Sequence, residues 1–264
     1  MKTPRYIYLI LIFSLALNVV AVFKYNTSQE GKIHAKREKK ITNKEKQKYN
    51  LGKPWPSILH YDSIPSHYNN QIARTTILNT LVEKFNYQSY LEIGQGHRQD
   101  NFDWINCSIK IGVDPDKKLN ATYQMTSDKF FALNKHSFDL IFIDGLHRAY
   151  QVERDILNSL EVLNKNGTIV AHDCNPTTKA TQMIPKRQPS WTGDVWKAWV
   201  KLRATRSDLK MYVIDVCTGC GIIRKGKQET INIPGELTYK VLDENRKELL
   251  NLVDINYFLK DLKK

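Results

Sequence analysis

Two seven-residue runs, 138–144 (FDLIFID) and 167–173 (GTIVAHD), constrain this chain more than anything else in it. Both are mostly apolar and both close on an aspartate, so each reads as a buried strand with a carboxylate at its carboxyl end. Between them, residues 148–163 carry Val152, Ile156, Leu160 and Leu163 on one helical face. A strand, a helix and a second strand of this kind predict a right-handed βαβ crossover and a mostly parallel sheet. The pattern extends in both directions. Upstream lie a helix over 67–85, with Ile72, Ile77, Leu78, Leu81, Val82 and Phe85 at helical spacing, a short buried strand at 89–93, a strand at 110–114 and a weak one near 122–125. Downstream, a helix at 193–205 precedes 210–216 (KMYVIDV) and 221–224 (GIIR), two strand-like runs joined by Cys217-Thr-Gly-Cys220 that predict an antiparallel hairpin. Residues 240–264, with Leu242, Leu249, Leu250, Leu252, Val253 and Phe258, read as a helical segment.

A chain of 264 residues has room for one main domain of about 200 residues and some extras. Four cysteines, Cys107, Cys174, Cys217 and Cys220, are too few for a disulfide scaffold, so burial has to hold the core. The net charge of +13 is concentrated at one end. Residues 1–54 contain 12 Lys and Arg against 3 Glu, which leaves only +4 for the remainder. A nucleic-acid enzyme would carry its basic surface on the folded domain, so nucleic acid is not the expected partner.

Residues 6–23 (YIYLILIFSLALNVVAVF) hold no charge over 18 positions, close to the ~20 that a helix needs to cross a bilayer. A single transmembrane anchor over 1–25 is the expectation, and a cleaved signal peptide is its rival because Val19-Val20-Ala21 offers a cleavage site. Lys24, Lys32, Lys36, Arg37, Lys39 and Lys40 follow the span, against Lys2 and Arg5 before it, which predicts a cytoplasmic domain. The polar, lysine-rich stretch 26–54 reads as a linker, 55–232 as the main domain and 233–264 as a C-terminal helical segment.

Ligands of open parallel sheets sit beyond the carboxyl ends of the strands. There the sequence gives Glu92-Ile-Gly94-Gln-Gly96-His-Arg98, then Asp114 closing the next strand about 20 residues on, then Thr126-Ser127-Asp128. Glycines at a first turn let backbone approach a ligand, and a carboxylate at that spacing suits a ribose diol. A dinucleotide would use the same two features. Together with the terminal hairpin, these motifs resemble the class I S-adenosylmethionine-dependent methyltransferases, and the resemblance covers roughly residues 70–225. It implies a Rossmann-like, mostly parallel seven-stranded sheet with an antiparallel terminal hairpin and helices on both faces. It further implies S-adenosylmethionine as cofactor, with Gly94 and Gly96 cradling its methionine part, Glu92 helping to fix the ammonium, Asp114 on the ribose, and Ser127 and Asp128 beside the adenine. Arg98 stands where many members have a third glycine.

The strand ends at Asp144-Gly-Leu-His147 and His172-Asp173-Cys174-Asn175 place two carboxylates and two imidazoles near one cavity. Oxygen and imidazole donors suit Mg²⁺ or Mn²⁺. The pair of motifs is similar to metal-dependent O-methyltransferases acting on sugars and other small molecules, which implies Asp144, Asp173 and His172 as ligands of a divalent cation. Those enzymes carry an extra oxygen ligand beside the second Asp, where this chain has Cys174. An unperturbed imidazole titrates near ~6.5, which suits His147 for removing a hydroxyl proton. The expected function is methylation of a hydroxyl on a sugar or other small molecule. A tethered, catalytically inactive Rossmann-like scaffold is the alternative, and the oligomeric state is left open. The two cysteines of the Cys217–Cys220 loop lack the further ligands that zinc needs. Trp196 and Trp199, three apart, fit packing of a helix on the sheet, and the basic segment 177–191 reads as a loop above the site that takes an anionic or carbohydrate acceptor.

Overall fold

The computed structural model describes residues 57–64 and 72–264. The apolar segment 6–23 and the lysine-rich stretch after it lie outside the described residues; among those described, no helix is long and apolar enough to cross a membrane. The chain runs through α1 (Arg74–Phe85), β1 (Ser89–Ile93), β2 (Ile109–Val113), α2 (Ser127–Leu133), β3 (Phe138–Ile143), α3 (Ala149–Glu161), β4 (Leu163–Ala171), α4 (Val195–Thr205), β5 (Leu209–Ile214), β6 (Cys220–Lys225), α5 (Tyr239–Leu250), β7 (Leu252–Val253) and α6 (Ile255–Leu262).

The strands form one sheet in the order β2-β1-β3-β4-β6-β5-β7. Pairs β1–β2, β1–β3, β3–β4 and β5–β7 are parallel, and β6 runs antiparallel to both β4 and β5. The hairpin therefore inserts its second strand between β4 and β5. Side chains of alternate parity are buried along each strand. Leu91, Ile93, Ile141, Ile143, Ile169, Met211 and Val213 enter one core with Val152, Ile156, Trp196, Trp199, Leu242 and Leu249 from the helices. Tyr90, Leu140, Phe142, Tyr212 and Ile222 are buried on the other face, so the sheet is covered on both sides. Trp196 and Trp199 are 0% and 1% exposed, which makes them packing residues of α4.

Seven strands are present, but the set differs from the sequence expectation. The weak strand near 122–125 reduces to one bridge between Val113 and Tyr123. Asn120 turns there in the left-handed region, φ 50°, and Gly112 N–H donates to the Thr122 hydroxyl oxygen rather than to a strand carbonyl. The seventh strand comes instead from the C-terminal segment, where Leu252–Val253 pair with Val213–Ile214. Asn251 enables this at φ 48° by ending α5, and its side-chain amide donates to Met211 C=O. No full helix follows β1; the connection to β2 is made by two short 3₁₀ turns, Arg98–Asp100 and Phe102–Trp104.

Candidate functional site

Strand order reverses between β1 and β3, because the chain leaves β1 to build β2 on one side and returns to build β3 on the other. A ligand crevice is expected at that point, and a cavity of about 430 Å³ lies there, lined by Gly94, Gly96, Asp114, Thr126, Ser127, Asp128, Asp144, Leu146 and Gln151 among others. The glycine loop is fixed by backbone: Gly94 N–H donates to Val113 C=O at 2.8 Å, and Asp144 N–H to Ile93 C=O at 2.9 Å. Gly94 sits at φ +79°, and a Cβ on it would fall 2.3 Å from Gly145 Cα and 2.4 Å from the Asp144 carbonyl, so no other residue fits. Asp114 accepts from Gly96 N–H at 3.0 Å and Asp116 N–H at 2.9 Å. Its carboxylate thereby orders the loop it faces.

The far wall forms a polar network. Thr126 caps α2 by accepting from Lys129 N–H, which leaves Ser127 and Asp128 in the first turn. Gln151 donates to Ser127 Oγ and Asp128 Oδ1, both at 3.2 Å, and to Asp155 at 3.0 Å. Burial pushes the Asp155 carboxyl up to about 6. Gln151 escaped the sequence reading, although its place on the inward face of α3, seven residues after Asp144, was the available signal.

Glu92 stands apart from these residues. Only 2% exposed, it lies behind the cavity wall, where Tyr90 OH donates to it at 2.7 Å and Asn101 Nδ2 at 3.1 Å. Thr75 closes the chain by donating to Asn101 at 2.7 Å. Burial outweighs these bonds and raises the carboxyl to about 8, so it is neutral at pH 7. The resemblance places this carboxylate on the cofactor ammonium; the structure turns it into the interior because β1 points alternate side chains to opposite faces.

Asp144 links the cavity to a dense charged cluster. Its Oδ1 lies 3.4 Å from His147 Nε2 and 3.1 Å from His172 Nδ1, and its Oδ2 lies 3.6 Å from Arg74 Nη1. Burial alone would raise its pKa, but His172, His147 and Arg74 together hold it well below the usual carboxylate range. Asp173, at φ 60°, places Oδ2 3.2 Å from His147 Nδ1 and accepts from Thr218 at 2.5 Å. His147 Nδ1 is also 3.0 Å from Trp191 C=O, and the two rings stack at 5.4 Å and 22°. Burial opposes the imidazolium of His147, yet Asp144 and Asp173 raise its pKa. Gly193, at φ +59°, keeps the segment after Trp191 close, since a Cβ there would meet His147 C=O at 1.9 Å.

Two carboxylates and the His147 imidazole form a group whose ligand atoms lie within 4.8 Å of one another. Those donors fit a hard or borderline divalent cation with water completing the shell. His172 adjoins the group, 3.1 Å from Asp144 and 3.5 Å from Asp173, but is 7% exposed. Cys174 offers nothing: its thiol is buried, pushed far up by burial, and directed at Ala171 C=O. The Asn175 amide is also engaged, donating to Asp215 at 2.9 Å and accepting from Arg246 at 2.6 Å. Trp191 belongs to the segment 177–191 expected above the site, whereas Thr218, Arg74 and Arg246 had no local sequence signal that tied them to it.

Residues 58–174 match the model of a family described as a methyltransferase domain. No curated protein matches the chain. Among solved structures, the chain is similar to the O-methyltransferase TomG from Streptomyces achromogenes in complex with S-adenosylmethionine, at 13% identity and TM-score 0.44 over 58% of this chain and 80% of that one. It is similar to the S-adenosylhomocysteine-bound Podospora anserina methyltransferase PaMTH1, at 15% identity and TM-score 0.45 over 76% and 97%. A third likeness is to the Bacillus cereus O-methyltransferase, at 12% identity and TM-score 0.40 over 62% and 82%.

Proposed function

We propose that this chain, whose residues 58–174 match the model of a methyltransferase domain, is an S-adenosylmethionine-dependent methyltransferase that methylates a hydroxyl of a sugar or another small hydroxylated molecule. One observation carries the reading: Asp144 both lines the cofactor-sized cavity and belongs to the cluster with His147 and Asp173. Cofactor and proton acceptor are thereby neighbours. Asp114 would hold the cofactor's ribose, Ser127, Asp128 and Gln151 its adenine, and the glycine loop beside Asp144 its methionine part. Bound there, the cofactor would supply an electrophilic methyl group whose transfer to the acceptor oxygen leaves the C–S electron pair on sulfur. The hydroxyl proton passes to His147, whose imidazolium is stabilised by Asp173 and the Trp191 carbonyl.

A divalent cation held by Asp144, Asp173 and His147 would supply a Lewis acid that lowers the acceptor's pKa. His147 cannot ligate through a nitrogen that also holds the proton, so the two arrangements exclude each other at that atom. Excess chelator distinguishes them: full turnover identifies His147 as the base, and abolished turnover with cofactor binding intact identifies the cation. Calorimetric titration of S-adenosylhomocysteine into the protein, with Asp114→Ala alongside, tests the cofactor assignment; no binding by either would overturn it.

The apolar stretch 6–23 and the basic residues after it support a single-span anchor with the domain facing the cytoplasm, where S-adenosylmethionine is made. Protease applied to sealed cells should leave the domain intact; its digestion would place it outside.

A further inference from the structure

The acceptor side of the site is bounded by the stretch 176–193 of the connection from β4 to α4, between Asp173 and Asp194, and its composition is one-sided. Residues 176–193 contain Lys179, Lys186 and Arg187 and no acidic residue. All three cations are exposed, and none has an ion-pair partner among the described residues. Arg148, next to His147 at the start of α3, is likewise half-buried without a carboxylate partner. Elsewhere basic side chains near the site are used up: Arg74 faces Asp144, Arg154 faces Asp128, and Arg246 binds Asn175, Pro176 and Asp243. The first carboxylate after the loop, Asp194, is committed to Ala149 N–H at 2.8 Å.

The loop is also held against the reacting end. Trp191 stacks on His147, gives its indole N–H to Met183 C=O at 2.7 Å, and carries Lys186 Nζ over its ring at 5.8 Å. Thr192 ties back to Thr181 through N–H and hydroxyl, at 2.9 and 3.1 Å. An ammonium is therefore poised over the half-buried indole that covers the proton acceptor. A hydroxylated molecule presenting its oxygen to His147 would lay the rest of itself along Trp191, over which Lys186 is held. A neutral acceptor would leave the loop's cations uncompensated; an anionic one would meet a complementary field.

Resting on the methyltransferase reading, we propose that the acceptor carries an anionic group, a carboxylate or a phosphate ester, which Lys186, Arg187 and Lys179 receive while Trp191 supports the body of the molecule. The anionic group can belong to a free metabolite or to a hydroxylated lipid headgroup.

Labelled methyl transfer by the full-length protein, measured over matched pairs, tests this: glucose with glucose 6-phosphate, galactose with galacturonate, 3,4-dihydroxybenzyl alcohol with 3,4-dihydroxybenzoate, and vesicles of neutral monogalactosyldiacylglycerol with vesicles of phosphatidylinositol. The anionic member should exceed its partner in kcat/KM by about 10-fold or more at low salt, with the advantage shrinking as salt is raised. Transfer confined to phosphatidylinositol places the anion on a lipid; transfer to the phosphorylated or carboxylated soluble compounds places it on a free molecule. Replacing Lys179, Lys186 and Arg187 together by Gln should cut the preference to under about 3-fold, chiefly through KM, with S-adenosylhomocysteine affinity within about 2-fold of wild type. Equal or better use of the neutral members, an unchanged preference in the triple variant, or no transfer to any member by protein that binds S-adenosylhomocysteine would overturn the proposal alone. Failure to bind S-adenosylhomocysteine would overturn the methyltransferase reading and this proposal with it.

Discussion

On the β1–β2 side of the cleft, Gly94, Gly96, Asp114 and Ser127 offer backbone and short polar groups around open space, and burial raises the carboxyl of Glu92 behind them to about 8. On the β3–β4 side, Asp144 lies within salt-bridge distance of His147, His172 and Arg74, and Asp173 of both imidazoles. The first arrangement binds a large ligand by shape with few fixed charges. The second stores charge that can move a proton or hold a cation, at the cost of burying it. The contrast assigns affinity to one wall and chemistry to the other, so substitutions should separate the two.

The sharpest break should come at His147. His147→Ala is expected to lower turnover by about 10²–10⁴-fold while the dissociation constant for S-adenosylhomocysteine moves less than about 3-fold. Comparable loss in both would merge the two walls into one function. In the metal-free arrangement, activity should also rise with pH through the raised His147 pKa, because a base must first lose its proton.

Gly94→Ala strikes the hinge between the walls, where the new methyl would meet Gly145 and Asp144 backbone. Cofactor binding should vanish and urea unfolding should show a loss of about 3 kcal/mol, a sum of overpacking and left-handed strain. Gly96→Ala is the control at φ +58° with nothing within 4 Å of its Cβ, and about 1 kcal/mol is expected there. Equal losses would show that close approach is not what Gly94 provides.

Asp114→Ala should weaken S-adenosylhomocysteine by about 30-fold, near 2 kcal/mol, since it removes the carboxylate proposed to accept from the ribose hydroxyls and frees Gly96 N–H. Near-normal kcat at saturating cofactor would keep Asp114 on the affinity side, and a kcat fall matching that of His147→Ala would not.

Legibility in the sequence divides along the same line. The walls built by strand ends could be read because strand, glycine turn and carboxylate are local in sequence, as in Glu92 to Gly96 and in Phe138 to Asp144. What escaped is held by contacts between distant segments. The sequence places the loop 177–191 above the site but does not pair its Trp191 with His147 across 44 residues; Thr218 reaches Asp173 across 45, and Arg246 reaches Asn175 across 71. The weak strand near 122–125 failed because propensity does not pair a strand by itself, while β7 could not be seen because two residues carry no periodicity.

The smallest effect expected concerns Glu92, which shares β1 with the affinity wall yet faces the interior. Its folded pKa of about 8 lies far above the ~4.3 of an unfolded glutamate. Below pH 4 both states are protonated and nothing is gained or lost. Above that the unfolded chain releases its proton while the folded one keeps it, so stability declines as pH rises until the folded carboxyl ionises near 8. Glu92→Gln preserves an acceptor for Tyr90 and Asn101 and removes the titration. Between pH 6 and 7 the wild type should therefore lose about 1 kcal/mol relative to Glu92→Gln in urea unfolding. Parallel stability curves across that interval would mean that Glu92 is ionised in the fold and that a cation reaches it from the cavity, which would return it to the affinity wall.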